Sequence, residues 1–313
     1  MRVAVVDVGT NSTRLFIADV HADGGAEALF RESQVTRLGE GVDASGVLSE
    51  PAMERTSAVL RHYRQEIDAR ECESNLAVMT SAARDAANGA AFMERVRGEF
   101  GLDARTLSGD EEAQLTFLGA MSGHRPAASP AGGAVSTVVV DIGGGSTEFV
   151  LGSGRLARFH TSLQAGVVRM SERHIHSDPP APEELQRLAA DTRAIFTEGL
   201  PAEERSSASD GIAVAGTATS AAAIAQELEP YDPSRVHGFQ LELGTVELLL
   251  ARLADMDEER RRRVVGLHPD RAPTIVAGMV LLREAMQAFG LRQVEVSEHD
   301  LLLGGALQLA GLA

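Results

Sequence analysis

At 313 residues, with 44% hydrophobic and 24% charged side chains, the chain is long enough for two domains that each bury a core. A net charge of −16 argues against nucleic acid or an anionic membrane as partner, and a single cysteine, Cys72, excludes both a disulfide framework and a cysteine metal site. All 29 basic residues are arginine, so Schiff-base and lysine-clamp chemistry are excluded while bidentate arginine grips on phosphate remain.

Residues 2–20 read as a strand hairpin. The apolar run Val3-Ala4-Val5-Val6 ends in Asp7, turns through Gly9-Thr10-Asn11-Ser12 and leaves as a second apolar run to Ile17. The start of the chain carries no basic n-region or long apolar h-region, and no stretch is apolar for long enough to span a bilayer. A reducing cytoplasm is therefore the expected location. Residues 27–38 continue the sheet, and a Gly/Ser loop from Gly39 to Gly46 leads to Ser49-Glu50-Pro51, a helix start with proline in its first turn. Apolar spacing carries that helix to about Ala69.

The segment 75–80 is a short buried strand running into Ser81-Ala82-Ala83-Arg84, where a strand meets a helix N-terminus, a ready anion site. Arg84 is placed to reach a phosphate there; its bland alternative is an ion pair with Asp85 or Glu111. A helix over 90–100 follows. Ser108 and Glu111 form a capping box for the next helix, and Asp110 suits the helix dipole. Glu112 has no such structural task and is the candidate base of this half.

Residues 123–133, rich in Gly, Pro and Ser, read as a linker. They separate a first domain, residues 1–124 with about 299–313, from a second, 134–298. The second opens on a copy of the first hairpin: Val138-Val139-Val140-Asp141, then Gly143-Gly144-Gly145-Ser146-Thr147, then Glu148 and another apolar run. The two aspartates lie 141 − 7 = 134 residues apart, about one domain of chain. Glycine amides and the Ser and Thr hydroxyls can cradle an anion, and Asp141 is a hard oxygen ligand suited to Mg²⁺. Neither turn is a Walker loop or a dinucleotide fingerprint, because a strand rather than a helix follows and the lysine and glycine spacings are absent.

Further on, a strand over 155–161 and a mixed-charge helix from Pro182 to Leu200 are expected. His174 and His176 share one side of an assumed strand, but lack a third ligand and read as surface residues. The strand from Ile212 ends in a Gly216-Thr217 turn before an Ala-rich helix, a third candidate anion site. Helices are predicted over 241–253 and 272–289, a strand over 294–298, and a terminal helix over 301–312 that packs back on the first domain. Arg260–Arg263 read as a solvated helix face, with attraction of a polyanion as the alternative.

Taken in order, Asp7-Val-Gly9-Thr-Asn-Ser12, Thr80-Ser-Ala-Ala-Arg84, Ser108-Gly-Asp-Glu-Glu112 and Asp141-Ile-Gly-Gly-Gly-Ser-Thr-Glu148 resemble the exopolyphosphatase / guanosine pentaphosphate phosphatase family. The resemblance covers nearly the whole chain. It implies an α/β architecture of two actin-like (ASKHA, ribonuclease H-like) domains with a cleft between them. It further implies Glu112 as general base, with Glu148 helping to position the attacking water. Mg²⁺ or another divalent cation would be held at Asp7, Asp141 and Glu148. Phosphate would be bound by Gly9, Thr10, Asn11, Ser12 and Arg84, by Gly143 through Thr147, and by Gly216 and Thr217. A homodimer, and polyphosphate or pppGpp as substrate, are part of the same implication. Long members carry extra C-terminal helical domains beyond the point where this sequence stops, so shorter polyphosphates are the expected substrates. An ATP-dependent kinase of a small metabolite and a non-catalytic polyphosphate- or alarmone-binding module stay open as readings of the residues alone.

Overall fold

The computed structural model describes residues 1–22, 24–124, 135–154 and 156–312; the predicted linker lies, from residue 125 on, outside them. The chain divides into two units, Met1–Ser122 with His299–Ala313, and Gly123–Glu298.

Unit 1 is built on a five-stranded sheet, order β3-β2-β1-β4-β5. Its strands are β1 (Arg2–Val8), β2 (Ser12–Val20), β3 (Ala26–Val35), β4 (Ser74–Met79) and β5 (Ala104–Thr106). The first three form an antiparallel meander, while β4 and β5 run parallel to β1. The helices are α1 (Val42–Ser45), α2 (Glu50–Ala69), α3 (Ser81–Asp85), α4 (Gly89–Phe100) and α5 (Gly109–Met121). Because side chains alternate across a strand, β1 feeds two cores. Ala4, Val6 and Val8 pack with Leu60, Tyr63 and Ile67 of α2 and Phe92, Val96 and Phe100 of α4. Val3 and Val5 point the other way.

Unit 2 repeats the plan in a six-stranded sheet, order β10-β11-β9-β6-β7-β8. Strands β6 (Thr137–Ile142), β7 (Thr147–Ser153) and β8 (Leu156–Leu163) form the meander; β9 (Asp210–Val214) runs parallel to β6 and β11 (Gln293–Val296) parallel to β9, and β10 (Phe239–Glu242) closes the edge antiparallel. Its helices are α6 (Val167–His174), α7 (Pro182–Gly199), α8 (Ala202–Ser207), α9 (Ala215–Ala225), α10 (Pro233–Val236), α11 (Leu243–Ala254), α12 (Glu258–Arg261) and α13 (Ile275–Ala288). The β6 run Thr137–Ile142 is buried throughout, as a strand covered on both faces must be.

The terminal helix α14 (Leu301–Leu309) belongs to unit 1 and supplies the core that Val3 and Val5 lack, through Leu302, Leu303, Ala306 and Leu307. It crosses α5 with almost no gap: a Cβ on Gly304 would lie 1.9 Å from the Leu115 carbonyl oxygen, and one on Gly119 1.9 Å from that of Asp300. Among the described residues no helix is long and apolar enough to cross a membrane.

Several sequence expectations are corrected. His174 ends a helix rather than sitting in a strand, and its ring bonds Asp191 at 2.8 Å. Leu241 and Glu242 belong to β10, so α11 begins two residues later than predicted. Of the arginine run, Arg261 is buried and bound to Asp178 and to the Met256 carbonyl, while Arg262 and Arg263 pair with Glu258 and Glu259 one helical turn back.

Candidate active site

The two hairpin turns share one construction. In unit 1 the Gly9 N–H donates to the Ser12 carbonyl at 3.0 Å; in unit 2 the Gly143 N–H donates to the Ser146 carbonyl at 3.0 Å. These two amides are spent on closing the turns, so a cradle made of every turn amide is ruled out. The turn carbonyls are anchored from behind. The Thr10 carbonyl accepts from the Gly39 N–H at 2.8 Å, and that of Asn11 from Thr36 and Arg37 at 3.0 and 2.9 Å. In unit 2, Val167 and Val168 at the start of α6 donate to the carbonyls of Gly143 and Gly144, both at 2.9 Å, and the Arg169 Nε to that of Gly145 at 2.8 Å. In a trans peptide the C=O and the following N–H point in opposite directions. Anchoring these carbonyls therefore aims the amides of Asn11 and Ser12, and of Gly144, Gly145 and Ser146, to the opposite side. Such outward amides suit an anion.

Gly166 makes the second anchor possible. A Cβ there would stand 2.4 Å from the Gly144 carbonyl group and from the Gly145 nitrogen. In unit 1 the turn is tied to α3 instead: the Thr10 and Ser81 hydroxyls share a 2.8 Å hydrogen bond, and both side chains are buried.

At α5 the predicted capping box is present, with Ser108 accepting from the Glu111 N–H and the Glu111 carboxylate accepting from the Ser108 N–H at 2.8 Å. Those backbone and hydroxyl bonds hold the Glu111 carboxyl below its usual range. Glu111 is thus the structural glutamate, and Glu112, next along the helix, is buried. Sequence reasoning offered Asp85 or Glu111 as the partner of Arg84. The structure pairs it with Glu112, Nη1 to Oε2 at 3.1 Å, and also with the Leu107 carbonyl at 3.1 Å; Asp85 stands farther off at 3.7 Å. The arginine and the candidate base are therefore already in contact.

Across β1 and β2 the register sets Asp7 opposite Arg14; at the matching place in unit 2 it sets Asp141 opposite Glu148. The duplicated hairpins have diverged here into an ion pair and a carboxylate pair. Arg14 donates Nε and Nη2 to the same oxygen of Asp7, Oδ2, at 2.9 and 2.7 Å, and Oδ1 is buried with no partner. Burial pushes the Asp7 carboxyl up and the Arg14 charge pulls it back, with burial the larger effect. In unit 2 Asp141 and Glu148 are buried and project from one face of the sheet, and the Ser162 hydroxyl donates to Glu148 at 2.7 Å.

The described residues hold no group of three or more side chains with metal-ligand geometry. Two hard carboxylates on one face nevertheless fit a Mg²⁺-type cation, which keeps several waters and takes one or two carboxylates. Asp141 and Glu148 would hold it; in unit 1 the unpartnered Oδ1 of Asp7 is a separate hard oxygen donor.

The third candidate site differs from expectation. No turn precedes α9: Ala215 begins the helix with φ +59, a left-handed conformation that costs a residue with a Cβ about 1–2 kcal/mol. Gly216 is covered by Arg271, whose Nη1 lies 1.4 Å from where a Cβ would stand. A guanidinium over a helix N-terminus is electrostatically unfavourable unless an anion is shared between them. Arg271, Arg14 and Arg169 were all missed in the sequence. Arg14 lies within the first hairpin two residues past its turn, while Arg169 and Arg271 are brought to the unit 2 turn and to the α9 N-terminus only by the fold.

A model described as the Ppx/GppA phosphatase family matches residues 16–304. Over 322 aligned positions, covering 99% of each chain, the sequence is 37% identical to Exopolyphosphatase 2 of Mycobacterium tuberculosis. Among solved structures, the Ppx/GppA family member of Aquifex aeolicus superposes with a TM-score of 0.82 at 31% identity, covering 99% of this chain and 97% of the other. An exopolyphosphatase from Cytophaga hutchinsonii gives 0.88 at 25% identity, covering 100% and 99%.

Proposed function

Because this chain belongs to the Ppx/GppA phosphatase family and so has two actin-like α/β units, we propose that it is an exopolyphosphatase, a phosphoanhydride hydrolase that removes the terminal phosphate of inorganic polyphosphate. The observation that carries the reading is that in each unit the turn carbonyls are tied down, which aims the following amides away from the scaffold, as anion binding requires.

In this reading the amides of Gly144, Gly145 and Ser146, with the Ser146 and Thr147 hydroxyls, hold phosphate oxygens, and the Asn11 and Ser12 amides do so in unit 1. Arg84 leaves Glu112 for the more highly charged phosphate. The freed Glu112 carboxylate takes the proton of a water that attacks the terminal phosphorus, and the P–O bond to the shortened chain breaks with its electron pair on the departing oxygen. Products are orthophosphate and a polyphosphate one unit shorter. Such chemistry is mostly positioning and charge stabilisation. A divalent cation at Asp141 and Glu148 would supply neutralisation of the developing negative charge. Arg271, lying over the α9 N-terminus beside Gly216 and Thr217, adds a further grip on the chain. The working form in this reading is a cytoplasmic homodimer with no nucleic-acid partner, the last supported by the net charge of −16.

The 5′ end of pppGpp presents the same bond, and the family name covers that activity too. One experiment decides: divalent-dependent phosphate release from polyphosphates of defined length, pppGpp and ATP, with the metal varied. Release is expected from short polyphosphates with the highest kcat/KM. Release from pppGpp alone would reassign the substrate, and no release from either would overturn the reading.

A further inference from the structure

Asp300 is a buried carboxylate that the mechanism above leaves unused. It caps α14, its Oδ1 accepting from the Leu302 N–H at 3.0 Å, a task that serine or asparagine performs as well. Its other oxygen receives Nη1 of Arg14, 286 residues away in sequence, and Nη2 of Arg31 at 3.4 Å. The Asp300 side chain is 2% exposed and that of Arg14 14%, so Asp7, Arg14 and Asp300 form an interior chain of charge that ends at Arg31 on the surface. A buried carboxylate is costly where a neutral cap would serve, so its retention calls for a second task.

The geometry points to that task. A guanidinium beside a carboxylate ordinarily forks, one N–H to each oxygen. Here it does not: both Nε and Nη2 converge on Oδ2 of Asp7, and Oδ1 is left unpartnered. The third corner of the guanidinium, Nη1, is held by Asp300, whose backbone is in turn wedged against Gly119 of α5. We propose that Asp300 is a positioning residue for Asp7, holding Arg14 end-on so that Asp7 Oδ1 stays open toward the phosphate turn of unit 1. The terminal helix thus completes the active site as well as the core. The inference rests on the exopolyphosphatase reading and deepens it.

Asp300→Asn keeps the cap and the shape and removes the charge. Arg14 is then expected to swing into the fork and occupy Oδ1. In the full-length protein kcat for a short polyphosphate should fall about 10-fold, the size typical of losing an outer-shell partner, and half-activation should need several-fold more divalent cation. KM should stay within about twofold. Arg14→Gln removes the intermediary, so adding Asp300→Asn to it should change nothing further, whereas independent effects would multiply. If Asp300→Asn fails to fold, Arg31→Gln/Asp300→Asn removes one charge of each sign and serves instead, with Asp300→Glu as the charge-retaining rescue. Wild-type kcat and metal dependence in the neutralised variants, or fully multiplicative effects with Arg14→Gln, would overturn the proposal while leaving the exopolyphosphatase reading intact. A wild-type protein that releases no phosphate from any polyphosphate would overturn that reading, and this one with it.

Discussion

Glu112 and Arg84 lie 28 residues apart and face each other at 3.1 Å, although each was picked from a separate stretch of sequence. Glu112 stood out because Ser108 and Glu111 satisfy each other and leave the next carboxylate without a local purpose. Glu112→Gln keeps an acceptor for Arg84 and removes the proton acceptor for water. Turnover is expected to drop by roughly 10²–10⁴, the usual contribution of a general base, with substrate affinity retained. Single-turnover phosphate release beside equilibrium polyphosphate binding checks this, and unchanged turnover removes Glu112 from the mechanism. Asp141 faces Glu148 across an antiparallel pair, and Asp141→Asn leaves one of the two carboxylates proposed to hold the cation. The divalent concentration for half-maximal activity should rise by at least about 10-fold, measured by metal titration of phosphate release; an unmoved midpoint would take the metal elsewhere. Arg14 shows the limit of reading residues singly. Its partners lie 7 and 286 positions away; the hairpin register sets it opposite Asp7, but nothing near it in the sequence points to Asp300.

At the scale of elements, the hairpins were legible because apolar β-branched runs alternate with a Gly-rich break, and the α5 cap because its residues are neighbours. What the turns do with their backbone was not legible. Two of the amides expected to bind phosphate close the turns themselves, and the carbonyls are held by segments 24 to 29 residues further on, from Thr36 to Gly39 and from Val167 to Arg169. Gly166 is the hinge of that arrangement in unit 2. Gly166→Ala places a methyl 2.4 Å from the Gly144 backbone, so α6 must withdraw and release the carbonyls it holds. The expected result is a KM for polyphosphate raised about 10-fold, by analogy with the loss of other supporting partners, together with a lowered melting temperature. Gly98→Ala is the control: it lies within α4 with open space around its Cβ position, and should stabilise by roughly 0.5–1 kcal/mol without touching KM. Equal kinetics in the two variants would show that α6 does not shape the turn.

At the scale of the whole molecule, each unit gathers distant chain into one core. In unit 2 the ring of His124 is held between Asp210 at 3.0 Å and Glu295 at 3.2 Å, with its side chain 3% exposed, so the start of the unit is fastened to β9 and β11. The hydrogen bonds to those carboxylates raise the His124 pKa to about 9. A histidine raised above its unfolded value stabilises fully below about pH 6.5 and loses that contribution as pH climbs through 9. The shift corresponds to at most roughly 3 kcal/mol. Urea unfolding of unit 2 should therefore show His124→Gln less stable than wild type at pH 6.5, with the gap closing by pH 10; a gap that does not vary with pH would remove the charged clasp.

By itself the sequence determined the two-unit plan, the duplicated turns, the return of the last helix to the first unit, and Glu112 as a carboxylate left over by its neighbours' capping box. All of these follow from patterns within a few residues or from a repeat of such patterns. Tertiary structure alone decided which amides the turns can offer, that Arg84 rests on Glu112, that Arg271 covers Gly216, and that Asp7 answers to Asp300 through Arg14. Those are contacts between segments far apart in the chain. A side chain's neighbours across a sheet or between packed helices depend on register and crossing, which local spacing does not encode.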